Sequence, residues 1–336
     1  MQNIPYSVLD LAVVTQGSSV SAAIQRSREL AVQAESFGYN RFWMAEHHNM
    51  ENIASSATAV LLGHVAEATK TIRVGSGGIM LPNHSPLIIA EQFGTLATIY
   101  GDRVDLGVGR APGTDQTTAN AIRPDRMQET QRFPKNVKLL REYLSADNKN
   151  ATVRAIPGEG TDVPLWILGS STDSAFLAAE LGLPYAFAGH FAPQQLQPAI
   201  RIYRENFKPS DRLDAPYFMP CINVIAADSD DQAQYLSTSM KQMFMGVVTG
   251  SRRPMPPPVD DMDEIWNPQI KMMVDQMLAC TFIGSKTTIE EELSAFVEQT
   301  SADEVMIASY VFDQQQRIHS HRLFAEIMKP ETEYEY

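Results

Sequence analysis

The chain has 336 residues, 44% of them hydrophobic and 8% aromatic, with a formal net charge of −13. That length and composition supply one large α/β core, and the acidic balance excludes a nucleic-acid binder, which needs clustered Lys and Arg against phosphates. Only two cysteines, Cys221 and Cys280, occur, which excludes a disulfide framework and a cysteine-built zinc site, and no run approaches the roughly 18 apolar residues of a membrane span.

The stretch Met1–Pro5 lacks the basic and apolar regions of a secretory leader, so a cytoplasmic location is expected. Val8–Thr15 reads as a strand and Ser21–Phe37 as an amphipathic helix ended by Gly38. The run Arg41-Phe42-Trp43-Met44 is a second, buried strand, and Ser55–Ala68 an Ala-rich helix. Ile72–Leu81 is a third strand whose glycines signal a close backbone approach. Ser85 and Pro86 then open a helix to about Tyr100 as N-cap and first residue. Val104–Gly109 is strand four, Pro134–Leu144 a helix, and Ser145–Thr161 a polar excursion. Strands at Pro164–Leu168, Tyr185–Ala188 and Tyr217–Ala227 alternate with helices at Ser171–Leu181, about Gln194–Phe207, and Asp230–Val247. Thr249–Pro268 holds five prolines and cannot be regular. Helices at Gln269–Ala279 and Thr288–Gln299, a strand at Glu304–Ser309 and a helix capped by Asp313 complete the chain.

Eight strand–helix units without repeat or linker predict a single-domain (β/α)8 TIM barrel over residues 1–336, with an insertion after strand seven. A doubly wound open sheet is the alternative. In a barrel the chemistry sits at the strands' carboxyl ends. The unusual residues fall there: Glu46-His47-His48-Asn49, Gly77-Gly78, Gly109-Arg110, Gly169-Ser170-Ser171 and Gly189-His190. Arg110, in a Gly-rich turn, suits bidentate phosphate binding, or else an ordinary ion pair. Ser170 and Ser171 open a helix whose free N–H groups suit an anion, or else merely cap it. A metal held by Glu46, His47 and His48 is disfavoured because neighbours in extended chain point to opposite faces. His84 and His190 divide between site and scaffold. His64 reads as structural, His319 and His321 as solvent-facing, and the Met243, Met245, Met255, Met262 group as packing.

Ala45-Glu46-His47-His48, Val74 to Pro82, Gly101 to Arg110 and Leu168-Gly169-Ser170-Ser171 together resemble the luciferase-like flavin-dependent monooxygenases, from about Tyr6 to Met328. The resemblance implies a barrel binding reduced FMN (FMNH2), with O2 as co-substrate and a separate flavin reductase as partner. It implies that His47 is the catalytic histidine that assists the flavin's oxygen chemistry. It also implies that Gly77–Gly78 is a cis peptide against the flavin ring, and that Arg110 and Ser170, with Ser171 beside it, hold the phosphate. Gly109 stands where luciferase has a cysteine, and Arg126 and Arg132 are candidates for a second phosphate arginine, so light emission has no support. The implied protein is a cytoplasmic homodimer, pairing through the helices after strands two and three, that acts on a small organic molecule without a metal. Its Pro-rich segment would be a lid closing on the flavin, against a fixed surface loop. The alternatives are an F420-dependent oxidoreductase, a non-catalytic flavin-binding protein and a metal-dependent barrel hydrolase.

Overall fold

The computed structural model describes residues 4–329; Met1–Asn3 of the stretch read for a leader lie outside them. Nine strands form one parallel sheet: β1 (Tyr6–Asp10), β2 (Arg41–Met44), β3 (Arg73–Met80), β4 (Val104–Gly109), β5 (Leu165–Gly169), β6 (Tyr185–Phe187), β7 (Phe218–Ala226), β8 (Thr281–Gly284) and β9 (Val305–Ala308). Their order is β6-β5-β4-β3-β2-β1-β9-β7-β8, and a β6–β7 pairing closes eight of them into a barrel. The closed barrel replaces the open-sheet alternative.

The ninth strand was not expected. At Asn223, β7 pairs with Thr281 of β8 and with Ala308 of β9, so those two strands hold opposite edges of β7. β8 therefore continues the edge that the short β6 occupies at Phe218–Pro220. Its sequence, Thr-Phe-Ile-Gly, is too short to announce itself, so the strand expected at Glu304–Ser309 is β9 rather than the eighth in the chain.

Twelve α-helices wrap the barrel: α1 (Val20–Phe37), α2 (Thr58–Ala68), α3 (Pro86–Tyr100), α4 (Gln116–Ile122), α5 (Arg126–Gln131), α6 (Phe133–Leu144), α7 (Thr172–Leu181), α8 (Leu196–Asn206), α9 (Asp230–Thr249), α10 (Pro268–Met277), α11 (Lys286–Thr300) and α12 (Gln314–Met328). α4 and α5 were unassigned from sequence because each is under two turns and polar, although Asp115 caps α4 by accepting from Thr118 N–H (3.0 Å). α12 corrects another expectation. His321 is buried, its ring edge-on to Tyr39, because that face of the helix packs inward; only His319 reaches Asp228 at the surface.

Alternation along each strand sorts the core into two layers. Phe42, Val74, Leu106 and Ile167 point outward into the layer shared with the helices. Leu9, Trp43, Trp166, Met219 and Met306 point inward and fill the barrel, with Trp43 and Trp166 edge-to-face at 5.2 Å. β3 pays for this filling in side chains: a Cβ on Gly77 would meet Leu9 Cδ1 at 2.6 Å, and one on Gly78 would meet the Gly107 carbonyl oxygen at 2.8 Å. The close approach expected of those glycines is thus real, and the Gly77–Gly78 peptide is cis.

The amino-terminal floor of the barrel is ionic. Asp105 accepts from Arg41 Nη1 (2.7 Å), Arg73 Nη2 (2.6 Å) and Trp43 Nε1 (3.2 Å). Glu304 accepts from Arg41 Nε (3.0 Å), Tyr217 Oη (2.9 Å) and Ser7 Oγ. With tryptophan in the middle and salt bridges below, the carboxyl end is where a barrel of this kind carries its site.

The Pro-rich segment is docked. Met255 N–H donates to the Val14 carbonyl (2.8 Å), its own carbonyl accepts from Gln16 N–H (2.8 Å), and Met255, Met262 and Trp266 are buried. Met255 and Met262 serve there as filling.

Asp105→Ala leaves the Arg73 guanidinium without its counter-charge and Arg41 with Glu304 alone. The expected result is a loss of about 3–5 kcal/mol in denaturant unfolding; a loss within ~0.5 kcal/mol, the usual surface range, would show that the floor is not structural.

Candidate active site at the carboxyl end of the barrel

The carboxyl end is organised around a buried carboxylate. Beyond β2, Ala45 N–H still donates to the Asp10 carbonyl (3.1 Å), which carries the chain one residue past the strand and drops Glu46 into the mouth. Glu46 Oε1 accepts from His48 Nε2 (2.8 Å), His84 Nε2 (2.8 Å) and Asn83 Nδ2 (3.3 Å), and Oε2 from Met80 N–H (3.0 Å). Burial alone would push this carboxyl up, but the donors from His48 and His84 outweigh it and hold it at about 2. The geometry fixes both rings as Nε2–H donors. The loop after β4 closes the far side, since Gly113 (φ +67) lies so near that a Cβ would stand 2.7 Å from the Glu46 carbonyl oxygen. His84, which the sequence leaves between site and scaffold, is thus tied with His48 to Glu46 in one hydrogen-bonded frame. Among the described residues no group of three or more His, Cys, Asp or Glu is placed to hold a metal.

His47 is left out of this frame. Its N–H donates to the Ser55 carbonyl (2.9 Å), which fixes the backbone, while its Nδ1 is buried without a hydrogen-bond partner among the described residues. Burial is the main cause, with Arg252 and His48 adding to it, that lowers His47 to about 4. It is therefore a neutral imidazole at neutral pH, able to give or take a proton.

The anion devices lie two strands away. Arg110 follows β4 and Ser170 follows β5, its neighbour. Ser171 is the N-cap of α7 with no side-chain cap bond, so its hydroxyl remains available. Thr172 N–H is taken by Gln195 Oε1 (3.0 Å). Arg110 meets Asp173 of the first α7 turn at 3.1 Å, both side chains about half exposed or more (48% and 69%). Such a surface pair is worth about 0–1 kcal/mol, so an arriving dianion can recruit Arg110 at little cost. Of the candidates for a second arginine, Arg126 is spent on structure, donating to Asn83 Oδ1 (2.8 Å) and the Arg110 carbonyl (2.7 Å). Arg132 is paired to Glu129 (3.0 Å).

Three residues at this end were not singled out from sequence. Asn83 tethers both Glu46 and the Pro112 carbonyl (3.1 Å). Arg252, on the docked segment, reaches Met50 Sδ (3.5 Å) just beyond His48. Asn223, wholly buried, lies in the otherwise apolar β7; a polar residue inside such a run was a legible signal.

A closed parallel barrel with a buried polar cluster at its carboxyl mouth has the architecture of a TIM-barrel enzyme, whose site lies at that end. The luciferase-like monooxygenase family matches residues 4–304. The chain belongs to that family. It is 52% identical over 324 residues to the uncharacterised protein YvbT of Bacillus subtilis, covering 96% of each chain. To a luciferase-like monooxygenase of Escherichia coli it is 49% identical over 326 residues, covering 97% of each. Among solved structures, apo-MsnO8 superposes with a TM-score of 0.86 at 32% identity, over 96% of this chain and 98% of that one. The same barrel recurs, at 16% and 15% identity, in an FMN complex of a type II Baeyer–Villiger monooxygenase from Pseudomonas putida and in an F420-dependent secondary alcohol dehydrogenase. Their TM-scores are 0.72 and 0.70, over 97% and 98% of this chain.

The site carries a pH signature. Glu46 has a folded pKa below its ordinary 4.5, so its contribution is full above that value and is lost as pH falls toward about 2. Burial, the largest cause in each, holds His47 near 4 and His190 near 3, below the ordinary 6.5. The unfolded chain binds those protons first, so stability should begin to fall below about pH 6.5 and fall more steeply below 4.5. In Glu46→Gln the lower part of that slope should flatten, by as much as ~3 kcal/mol, in denaturant midpoints taken across the range. A slope identical to the parent's would show that Glu46 does not hold its charge through those donors.

Proposed function

We propose that the carboxyl mouth binds reduced FMN and, with O2, oxidises a small organic substrate, the reduced flavin coming from a separate reductase. The observation that carries this reading is the pairing of two devices on one rim: Arg110, held by an exposed ion pair to Asp173 beside the α7 start with its free Ser171 hydroxyl, and His47 with a buried, unpartnered Nδ1 among the described residues. The residues suit the cofactor. Arg110, Ser170 and Ser171 would take the phosphate through charge-assisted hydrogen bonds. Gly77 and Gly78, without side chains, would give the ring a flat wall. When bound, reduced FMN supplies the electrons that activate oxygen. His47 holds or passes one proton at its free ring nitrogen, its backbone fixed by Ser55 and its neighbour Glu46 fixed by four donors. The buried Trp43 and Trp166 beneath exclude water from below.

Arg110→Ala should weaken FMN binding roughly tenfold to a hundredfold in fluorescence titration, the loss of a contact to a charged group worth about 1.5–3 kcal/mol. Unchanged affinity would remove the phosphate assignment, and F420 titrated in parallel separates the hydride-transfer reading: the proposal requires FMN to bind and F420 not to. His47→Ala should keep FMN affinity while NADH- and reductase-coupled turnover falls by about 10²–10⁴; turnover at the parent rate would make His47 scaffold.

The chain is further proposed to act as a cytoplasmic homodimer through α2 and α3. Val60 (73% exposed), Ile88 (47%) and Ile99 (63%) put large apolar side chains on those two helices. Of the small-residue stretch Ser55–Ala59, Ser56 and Ala57 are exposed, while Ser55 and Thr58 are buried and Thr58 Oγ1 donates to the Ala45 carbonyl (3.0 Å). Val60→Glu combined with Ile99→Glu should shift the light-scattering mass from dimer to monomer; a parent protein already monomeric at working concentration rejects the pairing.

A further inference from the structure

His190 was left between site and scaffold by the sequence, and its surroundings decide the matter. It follows β6 by three residues. In the closed barrel β6 and β2 are four strands apart in either direction, so they stand diametrically opposite. His47 and His190 therefore enter the mouth from opposite walls. His190 is 8% exposed, and its Nδ1, like that of His47, is buried without a partner among the described residues. A buried ring nitrogen left unpaired costs free energy; His64 Nε2 and His321 Nε2 share that state on the outer helices α2 and α12, so what sets His47 and His190 apart is that their unpaired nitrogens belong to residues at the mouth of the barrel.

Its backbone, by contrast, is firmly held. Asn223 Nδ2 donates to the His190 carbonyl (2.6 Å) and to Thr281 Oγ1 (3.1 Å). Asn223 has the same parity on β7 as Cys221, which packs in the inner layer, so it faces the barrel interior. Phe191 closes edge-on against the ring at 5.0 Å. The extra strand β8 acquires a purpose here, since it supplies Thr281 and completes the wall where β6 stops short. Asn223 Oδ1 is a third buried atom in this wall without a partner among the described residues. A frame that fixes the main chain and leaves the ring nitrogen unspent is the arrangement of a binding residue.

The charge around the two rings fixes the ligand class. Glu46 is saturated by four donors and turned toward His48 and His84. Arg252, on the outer segment, is exposed. His47 lies near enough to lower the proton affinity of His190, burial being the larger cause, and both rings are uncharged near neutral pH. Two neutral imidazoles offer hydrogen bonds without a formal charge to pair an anion.

We propose that His190 is a second substrate-binding residue of this site, and that its Nδ1 and that of His47 bracket the oxygen of an uncharged ketone, aldehyde or alcohol across the mouth of the barrel. This rests on the active-site reading above but not on the identity of the flavin. The Nδ1–H tautomer of either ring donates to a carbonyl oxygen, and the other tautomer accepts from a hydroxyl, so one pair of residues serves both classes.

The test uses full-length, flavin-free protein labelled with 15N-histidine, at neutral pH, with cyclohexanone as probe and methylcyclohexane as its apolar counterpart. Cyclohexanone should move the Nδ1 resonances of both His47 and His190 and leave that of His64, on α2, in place; methylcyclohexane should move neither Nδ1. His190→Gln should displace the His47 Nδ1 resonance, His47→Gln that of His190, and either should weaken cyclohexanone binding about threefold to tenfold. Because the protein is flavin-free, a failure of the FMN assignment would leave these results standing. The proposal is overturned if cyclohexanone moves only one histidine or neither, or if each ring is indifferent to replacement of the other. If one variant does not fold, the reciprocal variant and the wild-type titration still decide.

Discussion

The upper half of this molecule depends on one buried carboxylate. An ionised Glu46 inside a barrel is costly unless its lone pairs are filled. Here they are filled by donors from three different places: His48 from its own loop, Asn83 and His84 from the turn after β3, and the Met80 main chain. Satisfying that charge therefore locks the ends of β2 and β3 to each other, and through Asn83 and Pro112 to the loop after β4. His47 then inherits a fixed backbone without having to spend its ring. Of the two neighbouring histidines Glu46 captures His48, and the His47 Nδ1 is left without a partner among the described residues.

The barrel interior follows the same division along its axis. Charges that must be buried are collected on the floor, where Asp105 and Glu304 meet Arg41 and Arg73. The middle is plugged by Trp43 and Trp166. Unpartnered polar atoms among the described residues then recur toward the mouth, on His47, His190 and Asn223. Paired charge is thus collected below, and His47, His190 and Asn223 offer hydrogen-bonding capacity above that a ligand can complete. The docking of Met255 against Val14 and Gln16 brings Arg252 over the same mouth without an obvious hinge.

What the sequence made legible were features with a local cause. The alternation of apolar runs and amphipathic segments gave the barrel, because buried parallel strands and amphipathic helices each carry their own period. Gly77 and Gly78 betrayed a close approach because glycine inside a strand weakens it. The capping residues Ser85 and Asp313 marked helix starts. What escaped had a tertiary cause. β8 is four residues whose pairing depends on β6 being short, a fact set elsewhere in the chain. His321 sits in a polar-looking stretch of α12, and its burial against Tyr39 appears only once the helix is packed. His84 and His190 look alike as histidines near strand ends, yet one is consumed by Glu46 and the other is not. No spacing rule separates them.

The most direct measurement of the central claim is a crystal structure of the protein with FMN. The account places the phosphate between Arg110 and the start of α7, in contact with Ser170 and Ser171, and the ring against Gly77–Gly78 with His47 beside it. A flavin bound elsewhere, or a phosphate at the mouth that leaves the Arg110–Asp173 pair and both serines untouched, would contradict it.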